Sequence, residues 1–269
     1  MNTTPEHPAD QRRSTSVTTK RALAATAAAL ALASVAACGP DKVDSHVAGT
    51  AASASPSPTE RLESMTGVII LERAQQDFLK APTVKITGHL TTDGQKTDFT
   101  VQTDTQGNCK GSFTTAGQGT TQVLRTSGQT LVKPDAQALA KLTGPAAAEL
   151  GKDRWLRLVP GDAMTTVTQV CDRKSIPVFG DGTRANQVVN SGTTTVNGVK
   201  VVEILAITHD EGGFTGHVST ETPARPVRVE SKEQDVAMDF ADYGTPLDAA
   251  LPPADQIIDL AALKKSAGA

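Results

Sequence analysis

The chain has 269 residues, 38% of them hydrophobic and only 3% aromatic, with 26 basic and 29 acidic side chains and a net charge of −3. A balance so close to neutral, with no basic cluster, lacks the electrostatic footprint of a nucleic-acid binder and the polybasic stretch that holds a protein to anionic lipid. With so few aromatic rings, a core must rest on Val, Ile, Leu and Thr.

Residues 1–37 have the layout of an export signal. Arg12, Arg13, Lys20 and Arg21 supply positive charge, and Ala22–Ala37 follows without an ionisable group. That stretch is too short and too rich in alanine to cross ~30 Å of hydrocarbon, which takes about 20 strongly apolar residues. It ends in Val35-Ala36-Ala37-Cys38, then Gly39. An apolar residue, two small residues and a cysteine form a lipobox: the cleavage groove needs small side chains at 36 and 37, and the transferase needs the thiol of Cys38. Two acyl chains on that cysteine anchor stably where one does not, at ~0.8 kcal/mol per buried CH2. The expectation is a signal peptide over 1–37 and a protein held by lipid on Cys38 at the outer face of the cell membrane. Arg12-Arg13 is followed by Ser14-Thr15-Ser16, where a twin-arginine signal wants apolar residues, so general secretion is favoured. Cleavage leaves 22 basic against 27 acidic residues, a net charge of −5. Export puts Cys109 and Cys171 in an oxidising space. Two thiols there are most simply one disulfide; the alternatives are a free pair or a metal site, and no neighbouring Cys or His spacing supports metal.

After the lipidated Cys38, residues 39–57 are rich in Ala, Ser, Pro and Gly with little to bury, so 38–57 is a lipidated cysteine and flexible tether ahead of the domain. The domain, 58–263, opens at Ser57-Pro58-Thr59-Glu60, where Ser with Glu three residues later is a capping box and Pro58 suits the first helical position. Leu62, Met65, Ile69, Leu71, Ala74, Phe78 and Leu79 recur near helical spacing, so the pattern predicts one amphipathic helix over 58–80, ended by Pro82. Strand alternation follows. Val84, Ile86 and Leu90 alternate with polar residues, as do Phe99 and Val101, and then Cys109, Gly111 and Phe113. Ser127-Gly128 joins the runs 122–126 and 129–133 as a hairpin. Residues 135–150 have helical spacing broken by Gly144-Pro145, 155–159 reads as a strand, and 161–171 as helical. Further strands are expected at 186–190, 193–196, 199–208, 214–220, 225–230 and 235–241, with Asn197-Gly198 and Gly212-Gly213 as turns. The chain closes on Asp255–Leu263, a short helix at most. Hairpin-joined strands with helices grouped outside them make an α+β antiparallel fold, and no strand–helix alternation supports a dinucleotide fold.

Placed in this order, the pieces resemble the LppX/LprAFG family of actinobacterial lipoproteins over roughly residues 20–262. The resemblance is carried by the lipobox and tether, the opening helix, Val84-Lys85-Ile86-Thr87-Gly88, Asn108-Cys109-Lys110-Gly111, and Leu131-Val132-Lys133-Pro134-Asp135. It continues in Arg154-Trp155-Leu156, Cys171-Asp172, Asn197-Gly198-Val199 and Met238-Asp239-Phe240-Ala241-Asp242-Tyr243-Gly244-Thr245-Pro246. It implies a LolA/LolB-like fold, a curved antiparallel β half-barrel with helices over its concave face around an apolar cavity. It also implies that the chain carries lipid or glycolipid through the cell envelope. Leu131 stands where relatives often have Tyr.

Catalytic chemistry has no recognisable carrier: there is no G-x-S-x-G elbow, no phosphate loop and no Rossmann fingerprint. His209-Asp210-Glu211 with His217 reads as a hairpin tip, because no metal-ligand spacing fits. Asp239 and Asp242 are close in sequence, with Asp239 on the polar face of its strand. The chain is read as a non-enzyme with no cofactor and no metal. Two function classes remain. In the first, Val84, Ile86, Leu90, Phe99, Val101 and Phe113 line a cavity for an apolar ligand, with the first helix as lid. In the second, the same residues are a solid core and the protein binds a protein partner. Alternation alone does not separate them; an enclosed void of several hundred Å3 does.

Overall fold

The computed structural model describes residues 61–159, 170–176, 178, 185–208 and 212–267. The expected signal peptide, Cys38, the tether, the capping box at 57–60, most of the 161–171 helix and the 209–211 tip lie outside them.

A 3-10 turn over Leu62–Ser64 precedes helix α1, Gly67–Lys80, so the helix begins later than the apolar spacing predicts. The reason lies across the chain: the Asn190 side-chain amide donates to the carbonyls of Glu63 at 3.1 Å and Met65 at 2.9 Å, holding both outside the helix. A Cβ on Gly67 would stand 2.9 Å from Val188 Cγ1, so the first turn rests directly on its neighbouring strand. Ile70, Leu71, Ala74 and Phe78 are buried, whereas Ile69, expected on the same apolar face, is 41% exposed.

The period-2 alternation becomes one large sheet. Its strands are β1 Thr83–Thr92, β2 Gln95–Asp104, β3 Cys109–Thr115, β4 Gly119–Thr126, β5 Gln129–Pro134 and β6 Trp155–Leu158. They continue as β7 Ala185–Val196, β8 Val199–Thr208, β9 Gly213–Ser219, β10 Pro226–Ser231, β11 Val236–Ala241 and β12 Ile257–Asp259. Among the described residues the order is β12-β6-β5-β4-β3-β2-β1-β11-β10-β9-β8-β7, open at both edges. The two runs expected at 186–190 and 193–196 are a single strand, β7, with a register shift between Asn190 and Gly192. Among the described strands all pairings are antiparallel but one: Ile257–Asp259, expected as a short helix at most, lies parallel to β6. A parallel partner needs a long connection, and the chain from β6 to β12 crosses the whole second half of the sheet.

Helices α2 (Ala136–Thr143) and α3 (Pro145–Gly151) meet at Gly144, and α4 (Leu260–Ala267) closes the described chain. Helix α1 packs over β7 to β10, whereas α2 packs on β4 and β5, and α4 on β6 and β12. The architecture is α+β, a half-barrel whose inner face is covered by helices at its two flanks. No described helix is long and apolar enough to cross a membrane.

Candidate functional site

Antiparallel register sorts the inner face into rows, since directly opposed residues point to the same side. The outermost row runs Ser231, Val236, Leu90, Thr97, Thr115, Gly119. Next comes Gly216, Val229, Met238, Gly88, Phe99, Phe113, Thr121. Behind it lies Phe240, Ile86, Val101, Gly111, Val123, Val132. The last row holds Val84, Thr103 and Cys109. Gly88, Gly111 and Gly216 leave three inner positions without a side chain. At Gly88 the omission is forced, because a Cβ would collide with the Ala237 carbonyl.

Over the inner face lies a cavity of about 800 Å3. Its walls come from strands that are neighbours in the sheet from β4 round to β9. Seven strands lying flat would span about 29 Å, so a common cavity requires the sheet to curl. Phe99 and Phe113 form its floor, stacked with centroids 6.1 Å apart. Ile86, Val101, Phe214, Val229 and Met238 complete the apolar depth. At one end Gln95, Thr97, Thr115, Gln118, Lys141 and Gln234 make a polar mouth. There the Thr97 and Thr115 hydroxyls bond each other at 2.8 Å, and Gln118 donates to Gln95 at 3.3 Å.

Of the expected ligand residues, Ile86, Leu90, Phe99, Val101 and Phe113 line this cavity. Val84 is fully buried but lies in the row beyond its closed end, beside Thr103. The lid is also not the one expected. No residue of α1 is among the described lining; Ala138, Lys141 and Leu142 of α2 cover the cavity together with Val170, Ser175 and Ile176. Helix α1 spends its apolar face on the far half of the sheet, where Phe78 meets Phe240 edge to face at 5.7 Å.

The closed end is fastened covalently and by charge. Cys109 and Cys171 form a disulfide, Cα atoms 5.4 Å apart, across 62 positions of sequence. The Thr103 hydroxyl donates to the Cys171 carbonyl at 2.9 Å. Two residues on, Arg173 is 4% exposed, and its guanidinium donates to the carbonyls of Phe78, Ala81, Pro82 and Thr103. The first three are the last carbonyls of α1 and the residues that follow it, which have no intrahelical donor. Burial lowers the pKa of Arg173 from its ordinary value. Disulfide and guanidinium together fix the segment that supplies Ser175 and Ile176 to the cavity wall. In the sequence Arg173 stands in Cys171-Asp172-Arg173-Lys174, which reads as a solvated charged run.

The mouth side is set by α2. The Asp135 carboxylate caps the helix, accepting from Ala138 N–H at 2.8 Å and from Thr120 N–H at 2.6 Å. Gly119, at φ 94°, passes so close that a Cβ would collide with that carboxylate. These backbone bonds lower the Asp135 pKa. Among the described residues, Asp239, Asp242 and His217 make their ion pairs away from this cavity. Arg228 holds Asp239 with bonds of 2.9 and 3.0 Å, Lys85 pairs with Asp242 at 3.4 Å, and His217 stands 3.4 Å from Glu203. Among the described lining residues Lys141 is the one ionisable group, so these residues bring together no acid–base pair.

No family model matches the sequence, and no curated protein matches it. Among solved structures, the Mycobacterium tuberculosis lipoprotein LppX is similar, at 12% identity and a TM-score of 0.44, over 68% of this chain and 98% of that one. LprF from Mycobacterium bovis is similar at 14% identity and a TM-score of 0.43, over 69% and 96%. The Pseudomonas aeruginosa MucA/MucB complex matches at 15% identity and a TM-score of 0.35, over 71% and 59%. At these identities, and with TM-scores below 0.5, none of the likenesses transfers a ligand or a partner to this chain.

Proposed function

We propose that this protein is an envelope lipoprotein, exported through the signal at 1–37, lipidated on Cys38, and tethered through 38–57 to a domain that binds or carries an apolar ligand. The observation that carries the reading is the cavity of about 800 Å3 over Phe99, Phe113 and Val101. Ligand sites span ~300–1,000 Å3 and are mostly apolar with a few polar groups. A void lined by aliphatic and aromatic carbon need not fill with water. Each CH2 of a chain moved into it contributes ~0.8 kcal/mol. A protein-partner reading calls for a solid inner face, and the void supports the ligand reading over it.

The test is mass spectrometry of an organic extract of the protein purified from its own membrane. Species bearing acyl chains, in stoichiometric amount and beyond the anchor itself, are expected. Extracts holding the anchor alone, together with no saturable uptake of a fluorescent lipid, would return the domain to the protein-partner reading. The anchor is tested separately: Cys38→Ser is expected to abolish radioactive palmitate labelling and release the protein from membranes.

A further inference from the structure

The cavity is apolar in depth and polar at one end, and the polar end has a sign. Lys141, the single ionisable side chain of the described lining, is a cation. Its ammonium donates to the Gly117 carbonyl and to Gln118 Oε1 at 3.3 Å. No carboxylate pairs with it among the described residues. An ammonium has three donors, so one remains for a ligand. Gln118 in turn donates to Gln95, which joins the start of β2, the β3–β4 turn and the last turn of α2 into one polar chain. Ser231 and Gln234 complete the mouth from the β10–β11 side. No negative charge lines the mouth or the depth among the described residues.

We infer that the ligand is an acyl lipid with an anionic headgroup, its tail in the rows of Val101 and Phe99 and its head at the mouth against Lys141, Gln118 and Gln95. This rests on the ligand-binding reading above and adds the direction of entry and the sign of the head. A cationic head would meet a like charge at Lys141, and a neutral head would leave that ammonium without a counter-charge. Because Lys141 is exposed, the head contributes selectivity and the tail contributes affinity: an exposed pair accounts for about fivefold.

The full-length protein is loaded with N-phenylnaphthylamine, a neutral probe that fluoresces in apolar surroundings, and the probe is displaced by oleate, oleyl alcohol or oleylamine. Mildly alkaline pH keeps the carboxylate ionised. Oleate is expected to displace the probe about fivefold more effectively than oleyl alcohol, and oleylamine least. Lys141→Met is expected to remove the preference for oleate over oleyl alcohol, Lys141→Arg to retain it, and high salt to erase it. Equal displacement by oleate and alcohol, a preference for oleylamine, or an oleate preference that survives Lys141→Met would overturn the headgroup assignment and leave the cavity reading standing. Failure of the probe and all three lipids to bind would overturn both.

Discussion

The two ends of the cavity are built from the same hairpins and differ in what closes them. At the inner end the strands meet the disulfide, the Arg173 guanidinium and the Phe78–Phe240 contact. At the mouth they end in threonines, carboxamides and short turns, with a single helix cap holding the helix above. One end fixes a wall through covalent and charge-assisted bonds that do not trade with water. The other uses polar groups that exchange partners with solvent or a ligand at little cost.

The largest effect is expected from unfastening the inner end. Replacing Cys109 and Cys171 together by Ala removes a link across 62 positions. The chain-entropy model puts this at about 4 kcal/mol, with native strain and denatured-state structure subtracting from it. A denaturant titration measures the loss, and lipid uptake should fall with it, since Ser175 and Ile176 lose their anchor. Arg173→Met comes next. It leaves buried carbonyls of Phe78, Ala81 and Thr103 without this donor, on the order of 3 kcal/mol given that hydrogen bonds to charged groups contribute ~1.5–3 kcal/mol. Retention of wild-type stability by this variant would show that water or a rearranged turn satisfies those carbonyls.

A sharper contrast uses one substitution at two depths. Val84 and Val101 are both buried valines on the inner face, one row apart. Val84→Trp enlarges a side chain in the packed row and is expected to cost about 1–3 kcal/mol by overpacking. Val101 borders the cavity, and Val101→Trp is expected to cost less while abolishing lipid uptake. Thermal melts paired with a fluorescent-lipid titration separate the two. Equal destabilisation with uptake intact in Val101→Trp would mean that the void is not the binding site.

That pair also marks how far the sequence is legible. Alternation identifies Val84, Ile86 and Leu90 as one face, and the structure places all three on the inner side of β1. Depth is another matter: it depends on which residue of β2 lies opposite, and hairpin register is set by turn geometry rather than by apolar period. The lid differs from the expected one for a related reason. Amphipathic spacing says that α1 buries a stripe, not which part of the sheet receives it, and the cavity is covered by α2 through Ala138 and Leu142. Arg173 carries no sequence signal at all, because a buried arginine bound to carbonyls is indistinguishable in sequence from a solvated one. The parallel pairing of β12 carries no sequence signal, because three residues are too few to show a period.

The smallest effect belongs to the mouth, at the cap of α2. Asp135 accepts the amide protons of Ala138 and Thr120, and these bonds hold its pKa below the ordinary carboxylate value. A depressed folded-state pKa means that the folded protein binds the proton less readily than the unfolded chain. The cap therefore contributes fully above the unfolded value of ~3.9 and is lost as pH falls through the lower folded value. Asp135→Ala is expected to cost about 1 kcal/mol at neutral pH, no more, because the carboxylate is exposed and screened. The difference between wild type and variant should shrink on acidification below about pH 4. Because the cap seats the helix bearing Lys141, the variant should also blur the oleate preference while leaving oleyl alcohol binding nearly unchanged. A variant that weakened both lipids equally would place α2 in the support of the apolar walls rather than of the mouth, and the two ends of the cavity would then differ less than their chemistry suggests.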